Sequence, residues 1–123
     1  MATLGDSVFD NGLNKLVNDA DEIHITNTEA TDYTDATSTS SLGSKSSPSI
    51  TGPADRSGGG REVTVGAISD GSVSADGTAN YYAIVDTVNS LLLATGPLGS
   101  SQQVYNGNTW TTGSFNIGIP DPA

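Results

Sequence analysis

Glu62-Val63-Thr64-Val65-Gly66-Ala67 alternates polar and apolar positions without a break. That period of two sets Val63, Val65 and Ala67 on one face of a β-strand. Everything downstream repeats the theme. Asn80 to Asp86, Ser90 to Thr95, Gln102 to Tyr105, Thr109 to Thr112 and Ser114 to Ile119 are short runs of strand-forming residues, and Pro120 and Pro122 stop the last of them. Between them, Asp70-Gly71, Asp76-Gly77 and Asn106-Gly107 have the composition of tight hairpin turns, whose central residues need positive φ. Short strands punctuated in this way predict an all-β fold, an antiparallel β-sandwich or Greek-key barrel. Ala83-Ile84-Val85 and Leu91-Leu92-Leu93 lack alternation and read as central strands covered on both faces. The expected core is Ile23, Ile25, Val63, Val65, Ile84, Val85, Leu91, Leu93, Val104, Trp110, Phe115 and Ile117.

Upstream, the pattern weakens. Arg56-Ser57-Gly58-Gly59-Gly60-Arg61 lacks the Gly-Lys-Ser/Thr ending of a phosphate loop and reads as a flexible hinge. From Thr34 to Gly60 the large aliphatics are Leu42 and Ile50, in a Ser/Thr/Gly-rich setting that predicts a long extended arm or loop, with Pro48 and Pro53 keeping it open. Glu22 to Thr26 alternates again, with Ile23 and Ile25 inward and His24 and Thr26 toward solvent. Asp6 to Ala20 is the one helix candidate, short and N-terminal. Phe9, Leu13, Leu16 and Val17 form its apolar stripe, and Gly12 weakens it. The expected organisation is a helical arm over 1–20, a first strand region over 21–33, an arm or loop over 34–60, and a main β domain over 61–123 that forms one domain with 21–33.

Composition narrows the function. The chain has 123 residues, 14 acidic against 4 basic, and a formal net charge of −10. So few cations cannot neutralise a phosphate backbone, which argues against nucleic acid as a partner. No apolar run reaches the length of a membrane span, so no membrane partner is expected. Cysteine is absent, which excludes disulfides and thiolate chemistry. His24, the single histidine, reads as a surface residue, and no Ser sits in a nucleophile elbow. Asp19, Asp21, Glu22, Asp32 and Asp35 supply carboxylates but no aromatic sugar platform near them in sequence. A calcium loop begun at Asp19 fails at its fifth position, Ile23. No catalytic residue, cofactor or metal is expected, and the chain reads as a non-enzyme.

Three groups of residues carry a resemblance. Ile23-His24-Ile25-Thr26-Asn27-Thr28-Glu29-Ala30-Thr31-Asp32-Tyr33, then Leu42-Gly43 and Ala54-Asp55-Arg56, form the first two. Gly60 to Val65, Ile68-Ser69-Asp70-Gly71 and the ending Ile117-Gly118-Ile119-Pro120-Asp121-Pro122 form the third. Together they resemble small virion structural proteins of tailed bacteriophages, among them head decoration or cement proteins. The resemblance implies a component of the phage particle. Small size, the lack of an active site, extended arms and an acidic surface fit a head decoration protein best. That reading implies a place on the outer surface of the phage head, the major capsid protein as partner, and a homo-oligomer on the particle. A tail, neck or fibre/spike station, with host-surface binding, is the alternative. On that expectation the helix stripe and the arm, lacking an internal partner, supply the contacts. Phe9, Leu13, Leu42 and Ile50 are the apolar anchors, and Lys15, Lys45, Arg56 and Arg61 the ion-pairing residues.

Overall fold

A computed structural model describes residues 5–121. In chain order its elements are helix α1 (Asp6–Asp19), strand β1 (Glu22–Thr26), a π-helical turn (Asp35–Thr39), and strands β2 (Ser41–Ser46), β3 (Ile50–Asp55) and β4 (Arg61–Val65). Then come β5 (Ile68–Val73), β6 (Gly77–Asp86), β7 (Leu91–Val104), β8 (Thr109–Thr112) and β9 (Phe115–Ile119). The chain is mostly β, in curled antiparallel sheets with an N-terminal helix. The first four residues of the expected arm and the last two of the expected β domain, Pro122 among them, lie outside the described residues.

Two compact units emerge, each drawn from separated stretches of chain. The first comprises Met1–Asp19, Ser49–Ala67 and Ser114–Ala123, the second Ala20–Pro48 and Ile68–Gly113.

In the first unit, β3, β4 and β9 form an antiparallel sheet in that order. Alternation in β4 places Val63 and Val65 fully inside, opposite Ile117 and Phe115 of β9. The helix packs on β3 and β4, and its stripe residues Phe9, Leu13 and Leu16 are buried. A helix this short and glycine-interrupted does not hold alone in water; tertiary packing of its apolar face stabilises it. The three glycines expected as a hinge instead make the tight β3–β4 turn. Gly58, Gly59 and Gly60 all have φ near +90 to +106°. Arg56 N–H donates to the Gly60 carbonyl at 3.1 Å and Gly59 N–H to the Arg56 carbonyl at 3.0 Å. A Cβ on Gly60 would lie 2.0 Å from the Ile119 carbonyl oxygen, so glycine is needed for space as well as for φ.

In the second unit the strand order is β7-β6-β1-β2-β5-β8, every pair antiparallel. One face of β1 carries Ile23 and Ile25, both fully buried. The other face is covered as well. Residues 27–40 fold back over it, with Ala30 and Ala36 packed on Ala83 and Val85 of β6, beside Tyr33 and Leu92. Ala83 is the register partner of His24, so His24 lies under this cover and is only 5% exposed.

Several expectations are corrected by this fold. Residues 34–60 are not an arm: they hold the π-helical turn, β2 and β3, and β2 sits between β1 and β5 in the sheet. Backbone pairing built this segment, and a Ser/Gly-rich composition conceals pairing because it supplies little apolar pattern. His24 and Thr26 are buried rather than solvent-facing because residues 27–40 cover them. Asp70-Gly71 is no turn; it lies inside β5, where Gly71 makes room for the indole of Trp110. A Cβ there would be 2.2 Å from Trp110 Cε2. Leu91-Leu92-Leu93 opens β7, a terminal strand of the sheet order; Leu91 is 42% exposed and Leu93 half-buried, against the expected core positions. Phe115 and Ile117 are likewise half-buried.

Candidate functional site

Arg61 organises the first unit. Its Nε donates to Asp10 Oδ1 of α1 at 2.9 Å and its Nη1 to Asp55 Oδ1 of β3 at 2.7 Å, while Nη2 reaches Asp10 Oδ2 at 3.3 Å and the Pro53 carbonyl at 3.4 Å. Asp6 adds a longer charge contact at 3.9 Å. The fork of a guanidinium suits this, since it can meet two carboxylates in fixed directions. The hydrogen bonds it donates to Asp10 and then Asp55 push the Arg61 pKa up further, so the side chain is a permanent cation.

The second unit has a different polar centre. Glu22 and His24 share one face of β1, and His24 Nε2 donates to Glu22 Oε1 at 2.5 Å. A carboxylate only accepts, so in the neutral ring Nδ1 accepts the Ser41 hydroxyl at 2.8 Å. A charged ring would turn Nδ1 into a donor and send the Ser41 hydroxyl to the Gly43 carbonyl at 3.4 Å. The order Ser-His-Glu is that of an acyl-transfer relay. Such chemistry requires room for a carbonyl substrate at the nucleophile, and residues 27–40 cover the imidazole. What the chain of bonds does instead is tie β1 to β2 across the sheet. Thr26 Oγ1, on the same face, is buried without a hydrogen-bond partner.

The cover over this face is itself braced by carboxylates. Asp35 accepts from the Ser40 hydroxyl at 2.5 Å and from Thr31 N–H at 3.1 Å, and these bonds, Ser40's the stronger, hold its pKa below the ordinary aspartate range. Asp32 accepts from Asp35 N–H at 2.8 Å. Among the described residues no group of three or more His, Asp or Glu side chains is placed to hold a metal ion.

A polar groove of about 410 Å³ runs between β7 and β8, lined by Leu98, Gly99, Ser100, Gln102, Thr111, Thr112 and Gly113. It opens where β7 departs from β6. Ala79 pairs with Gln102 and Tyr81 with Pro97, so four residues of β7 stand against Asn80 alone. Gln102 Nε2 crosses to the Thr111 carbonyl at 2.5 Å.

The sequence-predicted contact residues are divided between the two units. Phe9 and Leu13 are each 2% exposed in the first unit and Leu42 is 5% exposed in the second, so these anchors have internal partners after all. Ile50 is half-buried in β3, opposite Val65. Lys15 pairs with Asp19 one helical turn on, at 2.5 Å, and Lys45 with Asp70 at 2.9 Å. Arg56 Nη1 donates to the Gly59 carbonyl at 3.0 Å, and Arg61 is held as described.

Sequence reasoning passed over the turn between β6 and β7. Asp86, 2% exposed, accepts from Val88 N–H at 3.0 Å, Asn89 N–H at 3.2 Å and Asn89 Nδ2 at 2.8 Å. Asp21 accepts from Thr87 N–H at 2.9 Å and the Thr87 hydroxyl at 2.6 Å. At the apex of this frame Val88 is 84% exposed, and Leu91, which opens β7, is 42% exposed. The signal was present in Asp86-Thr87-Val88-Asn89, an aspartate able to bond backbone N–H groups two and three residues on.

Comparison with known proteins gives no relative to set beside this geometry: no protein-family model, curated protein or solved structure matches the chain.

Proposed function

We propose that this protein is a bacteriophage capsid decoration protein, a non-enzymatic virion component that binds the outer surface of the head and stabilises it across neighbouring capsid subunits. One observation carries the reading beyond the resemblance described above. The single histidine and all four basic side chains are committed to contacts within the chain, as a fold built for bracing requires. The charge of −10 then leaves an outward surface rich in carboxylates, which keeps a densely covered particle dispersed. Within this proposal the second unit is read as a Greek key interrupted by β3 and β4: β1, β2 and β5 lie side by side in the sheet, and β6 returns to lie beside β1. The major capsid protein is the proposed partner, with the protein repeated many times over the shell.

Counting copies on purified particles tests the proposal. Quantitative mass spectrometry against the major capsid protein should find hundreds per particle. A few to a few tens would place it in the tail, neck or fibres instead, and none would remove it from the virion.

A further inference from the structure

We propose that the β6–β7 turn, residues 87–91, is the docking element, and that Val88 and Leu91 enter an apolar socket with a basic rim on the capsid subunit. This rests on the decoration reading.

An exposed valine is by itself ordinary. What sets Val88 apart is the frame beneath it. Two carboxylates, Asp21 and Asp86, accept five hydrogen bonds from Thr87, Val88 and Asn89, and Asp86 is buried to do so. Burying a carboxylate is costly unless its hydrogen bonds are made. Ser90 closes the turn at φ 57°, a left-handed conformation uncommon outside glycine. The outcome is a fixed turn that holds an apolar side chain, 84% exposed, out into solvent. An apolar tip held still before binding loses little conformational freedom on contact, which is how preorganised contacts gain affinity.

Charge decides what kind of surface receives it. The chain carries −10, and its Lys15, Lys45 and Arg61 are already ion-paired while Arg56 holds a turn carbonyl. A second copy therefore meets this tip with net repulsion and with its cations engaged. A different polypeptide, apolar at the centre of its socket and basic at the edge, is the complementary partner.

The test adds purified protein to heads assembled without it and measures occupancy against concentration. Wild type should saturate the heads, and Val88→Asp should need at least about tenfold more protein. Val8→Asp places the same charge on a 57% exposed valine of α1 and should bind as wild type does. Both variants should melt as wild type, since neither position is buried. Raising salt should weaken wild-type attachment. If wild type decorates heads and Val88→Asp decorates them equally, the docking element is overturned while the decoration reading stands. If wild type does not bind heads at all, that reading falls and the proposal with it. Dimerisation of the free protein abolished by Val88→Asp would overturn the choice of partner, and salt-independent attachment would overturn the basic rim.

Discussion

The two units reach order by different means. In the first, a single helix covers a three-stranded sheet and one arginine gathers carboxylates from α1 and β3. In the second, a wider sheet buries its central strand on both sides, and His24 and Ser41 hydrogen-bond across the β1–β2 ladder. The first unit depends on a few large side chains and a permanent cation. The second depends on a central strand covered on both faces and on glycines that let neighbours in, as Gly60 also does in the first. A chain poor in large apolar residues can be built either way, but the two constructions fail differently.

The largest expected effect comes from removing the helix's main contact. Phe9→Ala should cost about 3–5 kcal/mol, as for other buried aromatics. The loss should be read as an earlier fall of the helical circular dichroism signal in urea. In the second unit the equivalent weak point is Gly43, where a Cβ would lie 2.3 Å from the Ser72 carbonyl oxygen across the β2–β5 ladder. Backbone cannot swing aside as a side chain can, so Gly43→Ala should cost about 1–3 kcal/mol. Trp110, the single tryptophan and a residue of this unit, reports that transition by fluorescence.

Acid separates the units further. Asp70, lowered chiefly by its hydrogen bond from Lys45, and Asp35, lowered chiefly by Ser40, both belong to the second unit. A carboxyl whose folded pKa is depressed adds stability above its unfolded value, about 3.9, and that stability is lost as pH falls through the lower folded value. The Trp110 urea midpoint should therefore drop below about pH 4. Asp70→Asn and Asp35→Asn should each flatten part of that drop. Both groups are well solvated, so the change is small. The smallest effect is a gain. A Cβ on Gly12 would sit 3.8 Å from Ile119 Cδ1, an ordinary contact, so Gly12→Ala should stabilise the helix by up to about 1 kcal/mol. An unchanged thermal midpoint would mean that the helix termini, rather than Gly12, limit α1.

Periodicity makes part of this legible. Glu22–Thr26 is readable to the residue because Ile23 and Ile25 alternate, and α1 to within one residue because Phe9, Leu13 and Leu16 share a face. What escapes is decided by pairing at a distance. β2 reads Ser-Leu-Gly-Ser-Lys-Ser, with one large apolar residue, and its place follows from hydrogen bonds to β1 and β5 that no local pattern announces. His24 is misplaced by its sequence pattern for a related reason: alternation tells which residues share a face, not whether another segment covers it. Asp70-Gly71 shows the limit of turn chemistry, since the same glycine serves a turn or the face of a tryptophan. The framed tip at Val88 escapes because an exposed valine has no signature until its supporting carboxylates are seen.

The central claim is that residues 34–60 belong to the folded chain and are not an arm waiting for a partner. Amide hydrogen exchange on the free protein tests it directly. The amides of Gly43, Ser44 and Lys45 should be protected to the same order as those of Ile23 to Thr26, because they belong to one ladder. If 41–46 exchanges at unfolded-chain rates in the free protein and becomes protected only on phage heads, the segment is a binding arm and β2 is no part of the free protein's sheet.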